Sequence, residues 1–220
     1  MLKAVVFDLD GTLIDSTEAI VDSFVATFEI VGDPVPTREF ITQFISVPLE
    51  KHFAELTDRD PVELSRIYRE HYFATCTEGT VLLPGVEEAL LALGEAGLRL
   101  AIATSKSCKG SEILLEYLDV AHHFEFVVGA DSVVNHKPHP EALEMSREQL
   151  GIESEEMIYV GDTRFDTEAS KNAGIGCVAV ATGYAPRSEL EALAPRHVAD
   201  TMQDACVYIL NQVATTKDIS

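Results

Sequence analysis

Apolar residues follow two rhythms along this chain. The first is a set of short unbroken runs. Lys3-Ala4-Val5-Val6-Phe7-Asp8 is β-branched and aromatic and stops at an acid. That pattern predicts a buried parallel strand with something polar at its C-terminal end. Similar runs recur at 98–104, 124–129, 157–161 and 176–181. The second rhythm is helical. In 85–96, Val86, Ala89, Leu90 and Leu93 share one face and Gly97 follows as a C-terminal cap. Helices are also predicted over 111–118, over 140–150 ending at Gly151, and over 167–173 ending at Gly174. Strands alternating with helices of this length argue an α/β fold, a doubly wound parallel sheet.

The first strand breaks the alternation. About 68 residues without a strand run follow it. Ala19, Ile20, Ser23, Phe24, Thr27 and Phe28 lie on one helical face, and 48–56 and 61–72 also read as helices, the latter starting with proline. This predicts a small all-helical domain at 16–83, inserted into a core made of 1–15 and 84–220. The polar stretch 215–220 is expected to fray.

Composition narrows the class. With 220 residues, 46% apolar and 24% charged, the chain can bury a core without disulfides or metal staples. No apolar run reaches the length of a membrane span, and an acid at position 8 interrupts the N-terminus too early for a signal peptide. Sixteen Lys plus Arg against 37 Asp plus Glu give a net charge of −21, which argues against nucleic-acid or anionic-membrane partners. Cys76, Cys108, Cys177 and Cys206 show no CxxC spacing and read as reduced thiols of a cytoplasmic protein. No apolar seam is long enough to argue for an oligomer.

In an open parallel sheet, ligands sit beyond the carboxyl ends of the strands. The first strand delivers Asp8-Leu9-Asp10-Gly11-Thr12 and the second Thr104-Ser105-Lys106. The loop after the third delivers Lys137-Pro138, and the fourth delivers Gly161-Asp162 with Asp166 four residues on. Alone, each of these is a turn former, a helix cap or a solvated lysine. Together they place carboxylates, hydroxyls and an ammonium at one edge. Clustered Asp8, Asp10 and Asp162 would repel one another unless a hard divalent cation neutralised them, and oxygen-only ligation points to Mg²⁺. Lys137 and the hydroxyl donors suit a phosphate, and Gly11 permits close backbone approach to it.

Asp8-Leu9-Asp10-Gly11-Thr12-Leu13-Ile14-Asp15-Ser16 resembles the first motif of the haloacid dehalogenase superfamily in its phosphatase form. Ile102-Ala103-Thr104-Ser105 resembles the second motif, Lys137-Pro138 the third, and Gly161-Asp162-Thr163-Arg164-Phe165-Asp166 the fourth. Order and spacing match over about residues 2–185. The helical insertion resembles the cap of the subgroup that holds phosphoglycolate phosphatase, pyrophosphatase and β-phosphoglucomutase.

The resemblance implies a role for each residue. Asp8 is the nucleophile, forming an aspartyl-phosphate, and Asp10 is the general acid and then the base. Mg²⁺ is held by Asp8, the Asp10 backbone carbonyl and Asp162. Gly11, Thr12, Thr104, Ser105 and Lys137 bind the phosphoryl group, and Asp166 orients Lys137 or a metal-bound water. Dehalogenases and phosphonoacetaldehyde hydrolases lack the second acid, so Asp10 disfavours both. Gly11-Thr12 is the phosphatase-like pair, where mutases typically carry Gly-Val. The expected substrate is a small anionic phosphate monoester of the phosphoglycolate type. Mutase or pyrophosphatase activity, or a non-catalytic binding protein on the same fold, are the alternatives. In the cap, 44–49 resembles a substrate-reading Gly-x-Pro-Leu loop, with Ser46 where glycine is usual. Ser46 and Lys106 are substrate-contact candidates. His52, Arg66 and Arg69 are further cap candidates, with Glu63 or Glu70 as ordinary partners for the arginines.

Overall fold

The structure is a computed structural model that describes residues 1–43, 45 and 47–217, with side chains described to residue 214. The strands, numbered in chain order, are β1 (Ala4–Phe7), β2 (Ile14–Asp15), β3 (Val81–Leu82), β4 (Arg99–Ala103), β5 (Val127–Val128), β6 (Met157–Gly161), β7 (Gly176–Val180) and β8 (His197–Ala199). Six of them form one parallel sheet in the order β5-β4-β1-β6-β7-β8.

The apolar runs behave as their composition requires, because the central strands β1, β4, β6 and β7 are covered on both faces. Val5, Phe7, Leu100, Ile102, Ile158 and Val160 point to one core cluster. Their neighbours Ala4, Val6, Ala101, Ala103, Met157 and Tyr159 point to another. This is the period-two alternation of a doubly wound sheet. The core helices are α5 (Val86–Glu95), α6 (Cys108–Tyr117), α7 (Glu141–Leu150), α8 (Arg164–Asn172), α9 (Arg187–Ala192) and α10 (Met202–Lys217). Gly151 ends α7 in the left-handed conformation, φ 64°.

The helical insertion holds α1 (Thr17–Val31), α2 (Arg38–Thr42), α3 (Leu49–Leu56) and α4 (Pro61–Thr75). All six residues expected on the buried face of α1 are buried. Phe24 sits at ring-centroid distances of 4.9 Å from both Phe53 and Tyr68, making a small aromatic core. Asp60 caps α4 by accepting from the Val62 N–H, just ahead of Pro61. The chain enters the insertion through β2 and leaves through β3, which pair antiparallel. The fold is the α/β core with a helical cap that the apolar pattern implies.

The differences are local. The run 124–129 yields only two strand residues, because β5 is an edge strand paired on one side. β8, α2 and α9 are too short to leave a periodic signature. The stretch expected to fray stays helical to Lys217, as the end of α10; residues 218–220 lie outside the described ones. Ser46 also lies outside the described residues.

Candidate active site

In this sheet the strand order reverses between β1 and β6, and a crevice opens at such a switch point beyond the carboxyl ends. The Asp8 N–H bonds Val160 O at 2.8 Å, which sets Asp8 level with the end of β6. Beyond it the chain turns tightly, with the N–H groups of Leu13 and Ile14 both reaching Leu9 O. Gly11 occupies φ +78°, and a Cβ there would lie 2.4 Å from Asp162 Oδ2. A Cβ on Gly183 would lie 1.9 Å from the same oxygen, so the loop after β7 closes on Asp162 just as tightly.

Buried carboxylates and one ammonium make the floor. Lys137 Nζ stands 3.1 Å from Asp8 Oδ1 and 2.7 Å from Asp166 Oδ1, and donates to Tyr159 Oη at 2.7 Å. The Tyr159 hydroxyl has Ala103 O at 2.8 Å and Asp166 Oδ1 at 3.0 Å as acceptors. Thr163 donates its N–H and its hydroxyl to Asp166 Oδ2, at 2.9 and 2.6 Å. Asp162 accepts from Thr12 Oγ1 at 3.0 Å and from the Tyr184 N–H at 2.8 Å.

Acidity divides accordingly. Burial pushes Asp8 up to about 6 against the pull of Lys137, with Asp166 and Asp10 adding to the rise. Burial, Asp166 and Asp8 raise Asp162 well above the carboxylate range. Burial also opposes ionisation of Asp166, but Lys137 and the Thr163 hydrogen bonds outweigh it and hold Asp166 low. Lys137 is held protonated by Asp166 and Asp8 in spite of its burial.

The carboxylates of Asp8, Asp162 and Asp166 each offer an oxygen within 4.8 Å of the others, all buried. A hard divalent cation fits this set, since the donors are oxygens and two of the carboxyls are destabilised as anions without added positive charge. The Asp10 carboxylate stands apart. It accepts from Ser16 Oγ and faces Lys106 Nζ at 3.1 Å. Lys106 also donates to Tyr72 Oη of α4 at 2.6 Å.

Asp8, Asp10, Thr104, Ser105 and Lys106 open onto a cavity of about 690 Å³ between core and cap. Thr104 Oγ1 accepts from the Lys106 N–H at 3.2 Å. Thr12, expected on the phosphate, is fully buried with its hydroxyl donating to Asp162. Gly11 holds its loop by accepting from Thr182 Oγ1 at 2.8 Å. His52 and Arg69 line the cavity, Arg69 already paired with Glu50 at 2.7 Å. Arg66 faces solvent and pairs with Glu70.

Tyr159, Thr163, Tyr184, Ser16 and Tyr72 carry hydrogen bonds at the site and had no role assigned from sequence. A signal existed for Tyr159, since a phenol inside an apolar strand needs a buried partner. Nothing local marks Tyr184, whose N–H meets an acid 22 positions earlier. Among the described residues no helix is long and apolar enough to cross a membrane, and all four cysteines are free.

A capped, doubly wound sheet with carboxylates and a buried ammonium at its switch point defines an α/β protein with a site suited to anions and a divalent cation. The family model described as haloacid dehalogenase-like hydrolase matches residues 5–180, and the chain belongs to that family, as a hydrolase of its phosphatase kind. It is 36% identical to pyrophosphatase PpaX of Halalkalibacterium halodurans, over 92% of this chain and 94% of the relative. It is 33% identical to phosphoglycolate phosphatase of Salmonella typhimurium, over 92% and 90%. A haloacid dehalogenase-like family hydrolase from Streptococcus pneumoniae superposes with TM-score 0.86 at 28% identity, covering 94% of this chain and 98% of that one.

Proposed function

We propose that this enzyme hydrolyses a small phosphate monoester, with Mg²⁺, through an aspartyl-phosphate on Asp8. The observation that carries this reading is Asp8 itself. Its buried carboxylate lines the cavity, contacts the Lys137 ammonium at 3.1 Å and lies within 4.8 Å of the Asp162 and Asp166 carboxylates, with Asp10 on the same loop.

Asp8 attacks phosphorus and the ester P–O bond breaks; Asp10 gives its proton to the departing alkoxide oxygen. Asp10 then takes a proton from water, whose oxygen attacks the same phosphorus, releasing phosphate and restoring Asp8. Ser16 and Lys106 hold the two Asp10 oxygens, which keeps its carboxyl out of the metal cluster. Lys137 neutralises phosphoryl charge and Asp166 anchors Lys137. When bound, Mg²⁺ held by the Asp8 and Asp162 carboxylates and the Asp10 carbonyl supplies further positive charge beside the phosphoryl oxygens. The helical insertion, taken as 16–83, excludes water as the cap domain over the 1–15 and 84–220 core.

The relatives act on phosphoglycolate and on pyrophosphate by name. The test is phosphate release from a panel of monophosphates and pyrophosphate with added Mg²⁺, using Asp8→Asn as the blank. Turnover that needs both Asp8 and the metal supports the reading. Equal release by Asp8→Asn overturns it.

A further inference from the structure

The two walls of the cavity differ in chemistry. The core wall is polar, with Asp8, Asp10, Thr104 and Lys106. The cap wall is largely apolar and aromatic, with Ile20, Phe24, Val47, Leu49, Tyr68 and Tyr72, beside His52 and the Glu50–Arg69 pair. Tyr68 and Tyr72 are stacked, 5.5 Å apart with their rings 10° from parallel. A phosphoryl group at Asp8 therefore directs the rest of its ester toward rings and aliphatic side chains.

The cations around that wall are committed or hydrated. Among the described lining residues, the Lys and Arg side chains are Lys106, Arg69 and Lys109. Lys106 is engaged by Asp10 at 3.1 Å and by Tyr72 at 2.6 Å. Arg69 is engaged by Glu50 at 2.7 Å. Lys109 is solvent-exposed, with its ammonium 4.7 Å from the centre of the Phe73 ring. His52 adds no charge, because burial pulls it down to about 4, and His136, the other imidazole of the lining, is only half-buried on the core side. A second anionic group on the substrate would meet apolar surface without a free buried cation, which is costly. A cavity of about 690 Å³ is also far roomier than a two-carbon acid needs, and lies in the range of sites for ligands of several rings.

We infer that the preferred substrate is a phosphate monoester whose alcohol carries an uncharged planar ring, packed against the Phe24–Tyr68–Tyr72 wall. This rests on the phosphatase reading above and specifies its substrate class. It departs from the carboxylate-bearing substrate that the cap-loop resemblance suggests.

The experiment compares kcat/KM for benzyl phosphate, ethyl phosphate and phosphoglycolate with Mg²⁺ present. Benzyl and ethyl alcohols are leaving groups of similar basicity, so their ratio isolates the ring. Benzyl phosphate is expected to exceed ethyl phosphate at least tenfold, through KM, and to exceed phosphoglycolate as well. Val47→Lys, which sets a cation on the apolar wall, is expected to narrow the benzyl-to-phosphoglycolate ratio at least tenfold. Equal benzyl and ethyl values, or a preference for phosphoglycolate, overturn the inference and leave the phosphatase reading standing. Absence of turnover with all three esters and the rest of the panel overturns the phosphatase reading itself.

Discussion

Lys137→Met tests whether one ammonium balances the buried carboxylates. The lysine side chain is 3% exposed and lies between Asp8 at 3% and Asp166 at 1%. The variant keeps the volume and removes the charge. Asp166 retains Thr163 and Tyr159, but its Oδ1 loses the ammonium at 2.7 Å, and Asp8 loses its nearest cation. Removing one partner of a buried pair costs about 3–5 kcal/mol. For a chain of this length that is a fall in Tm of roughly 6–20 °C. The pH dependence has a definite sign. Asp166 is held below its unfolded value, so its stabilisation is present above that value and is lost as pH falls through the folded one. In Lys137→Met that contribution is missing, so the gap from wild type is large near pH 7 and closes below about pH 4. Thermal melts followed by circular dichroism, in EDTA so that no cation substitutes, read both quantities. A Tm within about 2 °C of wild type near neutral pH would refute the reasoning. So would a gap that stays constant into acid.

Two further outcomes are expected. Gly11→Ala forces a left-handed residue and sets a methyl group against Asp162, whose two oxygens are already held by Thr12 and Tyr184. It should cost about 1–2 kcal/mol in backbone strain alone and lower kcat by a factor on the order of 10², read by urea unfolding and phosphate release. His52 is buried beside Phe24 with its imidazole pulled down to about 4, so the unfolded chain takes up its proton first as pH falls. Stability should drop by about 3 kcal/mol between about pH 6.5 and pH 4 from this residue. His52→Leu should remove that part of the slope, and an unchanged slope in urea midpoints would assign the acid loss elsewhere.

Much of the site was legible because the chemistry sits at strand ends. An apolar run that stops at Asp8, another at Thr104 and a third at Gly161-Asp162 mark three edges of one crevice once the sheet is parallel. The α1 face was legible for a similar reason, since helical periodicity alone selects which residues meet the cap core. The cap contacts were not. Arg66 and Arg69 lie three apart on one helix, yet one pairs with Glu70 in solvent and the other reaches Glu50 on a different helix beside the cavity.

By itself, then, the chain order determined the strand and helix runs, the inserted helical block and the acids and lysine that converge on the switch point. These depend on local pattern and on the few topologies that right-handed parallel crossovers allow. Tertiary structure decided which oxygen serves which partner. Thr12 belongs to Asp162, 150 positions away; Tyr159 joins Lys137, Asp166 and Ala103 O; and Tyr72 of the cap meets Lys106 of the core. A hydrogen bond requires approach to about 3 Å and alignment within tens of degrees, and only the packed core holds distant segments to that tolerance.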